Sequence, residues 1–143
     1  MYKYTQHYIN SIVRKALQED LKPNKDITTN LIVKNKNATA EIIAKQDGVL
    51  AGLDFCKAAF KLTGKETSFF KKMSDGEKVK KNKVIVKINA KIKTILKAER
   101  TALNFLNHAS GIATLTSQFV KKVKKSTKIC CTRKTTPNLR VLE

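Results

Sequence analysis

The spacing of apolar residues changes near Lys93, and this change restricts the chain to a mixed fold. Before Lys93, residues 38–45 and 84–89 place an apolar side chain at every second position, which is the period of a β-strand. From there to Lys125 apolar residues recur at helical spacing, with an interruption predicted at Ser110-Gly111. Strands followed by helices in one chain of 143 residues predict an α+β fold.

Further segments complete this layout. Residues 5–19 and 53–62 carry apolar residues on one helical face, and residues 49–52 and 66–72 are typical of short strands between turns. The apolar stripe of the helical stretch after Lys93 comprises Leu96, Leu103, Leu106, Ile112, Leu115, Phe119 and Val123.

A last apolar run, residues 127–132, follows the helical stretch and is bounded by polar residues. It is typical of a buried strand, such as the first strand of a parallel barrel. The residues after it are too few for a domain, so this strand has no partner nearby, although its backbone groups need one. We therefore expect the start of an unfinished second unit.

The chain is strongly basic, because 30 Lys and Arg against 11 Asp and Glu give a formal charge of +19. Such a charge admits nucleic-acid binding through phosphate contacts. The alternative, a bias toward solvated lysine, is favoured because aromatic residues do not interleave with the basic runs as stacking platforms. Arginine occurs only at Arg14, Arg100, Arg133 and Arg140, so its planar donor geometry is the more informative signal.

Composition excludes several classes of protein. The apolar runs are too short for a transmembrane helix, and the N-terminus lacks the apolar core of a signal peptide. Three cysteines, with Cys130 and Cys131 adjacent, give neither a CxxC pair nor an even disulfide framework. We expect a cytoplasmic protein without a membrane partner.

The strongest local motif is the pentapeptide TRKTT at residues 132–136. Arg133 offers a bidentate fork for a carboxylate or phosphate, Lys134 a point charge, and Thr132 a hydroxyl. A polar loop after a strand is also where barrel enzymes place catalytic groups. The alternative is a solvated basic loop.

A second candidate lies in the helical stretch, where Arg100, Asn104 and Asn107 share one polar face. An ordinary exposed face is the alternative. His108 has no nearby Cys or second His, so we expect no zinc site.

In order along the chain, these segments resemble the quinolinate phosphoribosyltransferase family. Glu19-Asp20-Leu21 followed by Asp26-Ile27-Thr28-Thr29 is similar to its N-terminal signature. The segments ERTALNFL (99–106) and SGIAT (110–114) match its central helix pair, and TRKTTP (132–137) with Leu139-Arg140 matches its substrate loop.

The resemblance implies an enzyme, a pentosyltransferase of NAD biosynthesis. Its family transfers a phosphoribosyl group from phosphoribosyl pyrophosphate to quinolinate, and decarboxylation gives nicotinate mononucleotide, carbon dioxide and pyrophosphate. It further implies Mg²⁺ with the pyrophosphate, a homodimer, and an N-terminal α/β sandwich followed by an incomplete α/β barrel. We accordingly expect the sandwich with a connecting helix in residues 1–109 and the start of the barrel in residues 110–143.

By the same resemblance, Thr132, Arg133 and Lys134 hold the quinolinate carboxylates, and Arg100 reaches into the neighbouring subunit's site. Arg140 is a weaker binding candidate that alternatively ties the loop to the next helix. The resemblance assigns no catalytic residue and no metal ligand within this chain.

Two positions depart from the family pattern: Cys131 stands where Asp is common, and Asn138 where Gly is frequent. The rest of the barrel is absent, so we expect a fragment that is inactive by itself. Two other hypotheses remain open from the sequence, a basic nucleic-acid-binding module and a non-catalytic dimerisation domain.

Overall fold

The computed structural model describes residues 5–22, 29, 33–34, 36–124 and 126–143, in which helices pack against two small sheets. The Asp26–Thr28 part of the N-terminal signature lies outside these residues. In chain order the elements are α1 (Gln6–Leu21), β1 (Asn37–Ile43), β2 (Gly48–Val49), α2 (Leu53–Thr63), β3 (Ser68–Lys71), β4 (Lys78–Val79), β5 (Val84–Lys91) and α3 (Ile92–Lys122).

The main sheet has the strand order β1-β5-β3, and its neighbouring strands are antiparallel. Ile88 of the central strand pairs with Ala40 on one side and with Phe69 on the other. The register shifts between Ile42 and Ile43, which marks an irregularity near the end of β1. β2 and β4 form a separate antiparallel ladder. The predicted α+β fold with a mainly antiparallel sheet is confirmed.

The core lies where the helices meet each other and the sheet. The ring centroids of Phe55 on α2 and Phe105 on α3 are 5.3 Å apart, so these helices are in direct contact. Burial raises the pKa of the Cys56 thiol to about 12, so this side chain stays neutral and packs as a small apolar group. The fully buried side chains of largest volume are Phe55, Leu50, Leu53, Ile88, Val13, Val86 and Cys56.

The start of α2 is held tightly against α3. Gly52 has a φ of +94°, a conformation that favours glycine, and a Cβ there would lie 3.1 Å from both the Phe105 carbonyl oxygen and the Ala109 Cβ. The Asp75 carboxylate accepts the N–H groups of Gly52 and Leu53 at 3.2 and 3.1 Å. A remote turn therefore caps this helix. The predicted strand 49–52 overlaps β2 only at Val49, and residues 50–52 lead into α2 without strand pairing.

Helix α3 continues through Ser110-Gly111, so the predicted interruption is wrong. The Ser110 hydroxyl accepts the Ala51 N–H at 3.1 Å and donates to the Ala51 carbonyl oxygen at 3.2 Å. One turn on, Thr114 Oγ1 accepts the Val49 N–H at 2.9 Å. These tertiary bonds stabilise small polar residues within the helix, which local propensity disfavours. The division between residues 109 and 110 stays a prediction.

The predicted apolar stripe is buried only in part, because Leu96, Leu115 and Phe119 are exposed and Leu103, Ile112 and Val123 are half-buried. Leu106 is only 3 % exposed, whereas Leu115 and Phe119 are each 55 % exposed. The spacing predicted the helix correctly, but burial requires a partner surface, which the described residues do not place over this end. None of the described helices combines the length and apolarity needed to cross a membrane.

Residues 127–132 form no strand in the described structure, so that prediction is wrong. The segment is exposed, with Ile129 at 46 %. A parallel barrel strand exists through hydrogen bonds to its neighbours, and the described chain places no strand beside this run.

Replacing Gly52 by alanine is expected to destabilise the fold more than replacing Gly76. Their φ values of 94° and 90° give both variants a similar backbone strain. A Cβ at Gly76 meets no atom within 4 Å, whereas the one at Gly52 meets Phe105 and Ala109. We expect an additional loss of about 1–3 kcal/mol for Gly52→Ala, measured as the free energy of unfolding in urea. Equal losses in the two variants would contradict the close contact of α2 with α3.

Candidate functional site

The polar segment after α3, residues 132–140, forms a loop with two adjacent cations, which we call the anion loop. Arg133 has a φ of 64°, which is uncommon for a residue with a side chain. The Thr132 hydroxyl accepts the Lys134 N–H at a long 3.4 Å. The Arg133 and Lys134 side chains are exposed and form no ion pair with the described residues. Two adjacent exposed cations on a strained turn are suited to bind an anion.

The far end of the anion loop is anchored to the body of the protein. Leu139 packs against the hydrophobic core. The Tyr8 hydroxyl of α1 donates to the Asn138 carbonyl oxygen at 3.3 Å. Asn138 has a φ of 66°, a left-handed conformation that asparagine tolerates better than most residues. Arg140 Nε donates to Thr135 Oγ1 in a long 3.5 Å contact, so Arg140 braces the loop internally.

The carboxylate of Glu143 joins the anion loop to α3. Its Oε2 accepts the Thr136 N–H at 3.0 Å, and its Oε1 lies 2.6 Å from His108 Nε2. The Glu143 side chain is only 9 % exposed. Hydrogen bonds from Thr136, and then from His108, lower the pKa of Glu143 to about 2, so the carboxylate is ionised at neutral pH.

A cavity of about 490 Å³ opens between α1, α3 and the anion loop. Asp20 on its wall accepts a hydrogen bond from Arg100 Nη1 at 2.8 Å. The Asp20 side chain is 19 % exposed and that of Arg100 is 75 % exposed, so a sheltered carboxylate orients an outward guanidinium. The cavity is lined by Ala16, Glu19, Asp20, Thr101, Asn104, Phe105, Asn107, His108, Thr136 and Leu139.

Four of the five predicted binding residues, Thr132, Arg133, Lys134 and Arg140, lie in the anion loop, as their positions in the sequence require. The fifth, Arg100, lies on α3 and pairs with α1 instead. The substrate contacts assigned to all five stay predictions.

Three residues of this region were missed from the sequence: Asp20, His108 and Glu143. Asp20 belongs to the N-terminal signature, but nothing in the pattern shows that it pairs with Arg100. His108 follows Asn104 by four positions and therefore lies beside it on the helix surface, which is a usable signal. Glu143 carries no local signal, because its role depends on the loop folding back onto α3.

Among the described residues, no group of three or more His, Cys, Asp or Glu side chains is placed to hold a metal ion. Magnesium bound together with the pyrophosphate stays a prediction.

Comparison with known proteins connects this geometry to one family. The profile "Quinolinate phosphoribosyl transferase, N-terminal domain" matches residues 26–110, and the corresponding C-terminal-domain profile matches residues 112–143. A probable nicotinate-nucleotide pyrophosphorylase (carboxylating) of Methanocaldococcus jannaschii is 41% identical over 140 residues, covering 95% of this chain and 48% of the relative. The Bacillus subtilis counterpart is 37% identical over 119 residues, covering 82% of this chain and 41% of the relative.

Solved structures agree with these sequence matches. The nicotinate-nucleotide pyrophosphorylase of Francisella tularensis superposes with a TM-score of 0.91 at 34% identity, covering 97% of this chain and 49% of that chain. The enzyme of the same name from Ehrlichia chaffeensis superposes with a TM-score of 0.89 at 37% identity, covering 99% of this chain and 51% of that chain. The chain thus spans about half the length of the relatives it matches.

The N-terminal-domain profile alone covers more than half of the 143 residues, and the fold superposes closely on solved members. The chain therefore belongs to the quinolinate phosphoribosyl transferase family.

Proposed function

We propose that this chain is part of an enzyme that transfers a phosphoribosyl group from phosphoribosyl pyrophosphate to quinolinate in NAD biosynthesis. The ring nitrogen forms a bond to the anomeric carbon, whose bond to pyrophosphate breaks. The 2-carboxylate then leaves as carbon dioxide and a proton takes its place, giving nicotinate mononucleotide. The observation that carries this proposal is the pair of adjacent exposed cations, Arg133 and Lys134, on the anion loop of a family member.

The anion loop suits a substrate with two adjacent carboxylates. Arg133 supplies a planar fork and Lys134 a compact charge, so together they hold a dianion at a defined orientation. The same cations stabilise the negative charge that develops at the 2-position as carbon dioxide leaves. For the ribosyl step, their contribution is to hold the ring nitrogen against the anomeric carbon.

Magnesium enters this proposal only as a companion of the pyrophosphate group. The described residues supply no ligand cluster for it, so no step is assigned to the metal. A reducing, cytoplasmic setting is also proposed, because Cys56, Cys130 and Cys131 are free thiols.

We further propose a homodimer in which Arg100 completes the neighbouring subunit's site. Asp20 holds the guanidinium at 2.8 Å while three quarters of the Arg100 side chain stays exposed, which suits a residue presented to another chain. Helix α3 also offers an apolar surface for association, because Leu115, Phe119 and Val120 are each more than half exposed.

Removing either cation of the anion loop should impair the reaction in a form of the protein that spans the full length of its relatives. We expect Arg133→Ala and Lys134→Ala each to lower kcat/KM for quinolinate by about 10–100-fold, because each loses a charge-assisted hydrogen bond. Lys57→Ala, which removes an exposed cation on α2, is the matched control and should leave the kinetics unchanged. Unchanged kinetics in both loop variants would remove Arg133 and Lys134 from the site.

Mixing two impaired variants tests whether Arg100 acts across the dimer. Arg100→Ala and Arg133→Ala subunits, unfolded and refolded together, should regain about one quarter of wild-type activity, since half of random dimers are mixed and each has one intact site. Each variant refolded alone is the control. If the mixture is no more active than the variants refolded alone, although exchange of subunits is verified by mass, Arg100 does not act in trans.

The 143 residues by themselves are expected to show no turnover of quinolinate. The anion loop is exposed, and a site that excludes water needs further walls around the substrates. Product formation is measured by chromatography of nicotinate mononucleotide at high protein concentration. Turnover that disappears in the Arg133→Ala variant would contradict this expectation.

A further inference from the structure

We propose that Glu143 is a positioning residue that fixes the anion loop on helix α3, through Thr136 on the loop and His108 on the helix. This inference rests on the proposed function, because it gives Glu143 the task of holding the cations that receive the quinolinate carboxylates. Glu143 touches neither substrate in this proposal. Its effect reaches the reaction only through the loop.

The geometry is that of a bridge between two separate elements. One carboxylate oxygen accepts the Thr136 backbone N–H at 3.0 Å, and the other lies 2.6 Å from the His108 ring nitrogen. His108 lies 35 positions before Glu143 in the chain, so the contact is tertiary. The Glu143 side chain is 9 % exposed, so its carboxylate lies against the protein, while His108 on the other side of the contact is 42 % exposed.

This bridge holds the part of the loop nearest to the cations. Tyr8 and Leu139 secure the far end of the loop, beyond Thr136. On the near side, the described contact of Lys134 is with Thr132, inside the loop itself. Since Thr136 follows Lys134 by two residues, fixing its N–H restricts the backbone that carries both cations.

The charges around the bridge are mixed. His108 faces Glu143 from α3, and α1 contributes Glu19 and Asp20 to the same cavity, with Arg100 paired to Asp20. The low pKa of Glu143 keeps its carboxylate ionised above about pH 2. The bridge is thus present throughout the neutral range and is lost as pH falls through that value.

The first test uses the 143-residue chain and needs no activity. The side-chain carboxyl carbon (Cδ) of Glu143, followed by NMR, should titrate near pH 2. Glu143→Ala should speed amide hydrogen exchange of Thr136 and Lys134 by about tenfold, as expected for one lost hydrogen bond to a charged group. Glu66→Ala is the matched control, because its exposed carboxylate pairs with Lys91 away from the loop. Titration near the ordinary value of 4.5, or unchanged exchange, would overturn the bridge.

The second test uses the full-length form and separates positioning from folding. Glu143→Ala should raise KM for quinolinate about tenfold, because only a fraction of loops then has the binding geometry, and leave KM for phosphoribosyl pyrophosphate unchanged. Glu143→Gln keeps one acceptor for the Thr136 N–H, so its KM for quinolinate should lie between those of the wild type and Glu143→Ala. A residue needed only for folding would lower the active fraction without changing KM, and that result would overturn the proposal.

Failure of the inference is distinguishable from failure of the proposed function. If Arg133→Ala impairs quinolinate binding while Glu143→Ala does not, the loop binds substrate without this bridge, and the inference is wrong. If the full-length wild type transfers no phosphoribosyl group to quinolinate, the proposed function is wrong. The titration and exchange measurements then still decide whether Glu143 holds the loop.

Discussion

The close contact between α2 and α3 supports everything else in this structure. An ideal Cβ placed on Gly52 would lie 3.1 Å from the Phe105 carbonyl oxygen on α3. One turn after Gly52, Phe55 packs on the Phe105 ring. A larger residue at Gly52 would push the helices apart, and the hydroxyl groups of Ser110 and Thr114 would lose their backbone partners before α2. The sheet, β2 and α1 each pack against one or both of these helices.

That packing also decides which side of α3 is left for chemistry. Because Ala98, Ala102 and Phe105 are buried, the face with Arg100 and Asn104 is exposed along the end of α1. The anion loop returns to the same helix at His108. The same helix therefore carries Arg100 and contacts the loop that carries Arg133 and Lys134.

Much of the fold could be predicted, because it follows from local periodicity. The helices at 5–19 and 53–62 and the strands at 38–45 and 84–89 correspond to elements of the structure within a few residues. The prediction failed where local signals compete with tertiary contacts. Ser110-Gly111 is a breaker in isolation, but hydrogen bonds to Ala51 keep it helical. The apolar run 127–132 has the composition of a strand but no neighbouring strand among the described residues.

The sequence by itself determined the family, the α+β class and the place of the motif that we predict to bind an anion, because residue type and spacing along the chain carry that information. Only the tertiary structure decided how the motif is held. The pairing of Asp20 with Arg100 and the bridge from Glu143 to His108 join residues far apart in sequence. No local pattern encodes such contacts, since they depend on where packing of the apolar faces brings each helix and loop. Hydrogen bonds and charge then select the geometry within the space that packing allows.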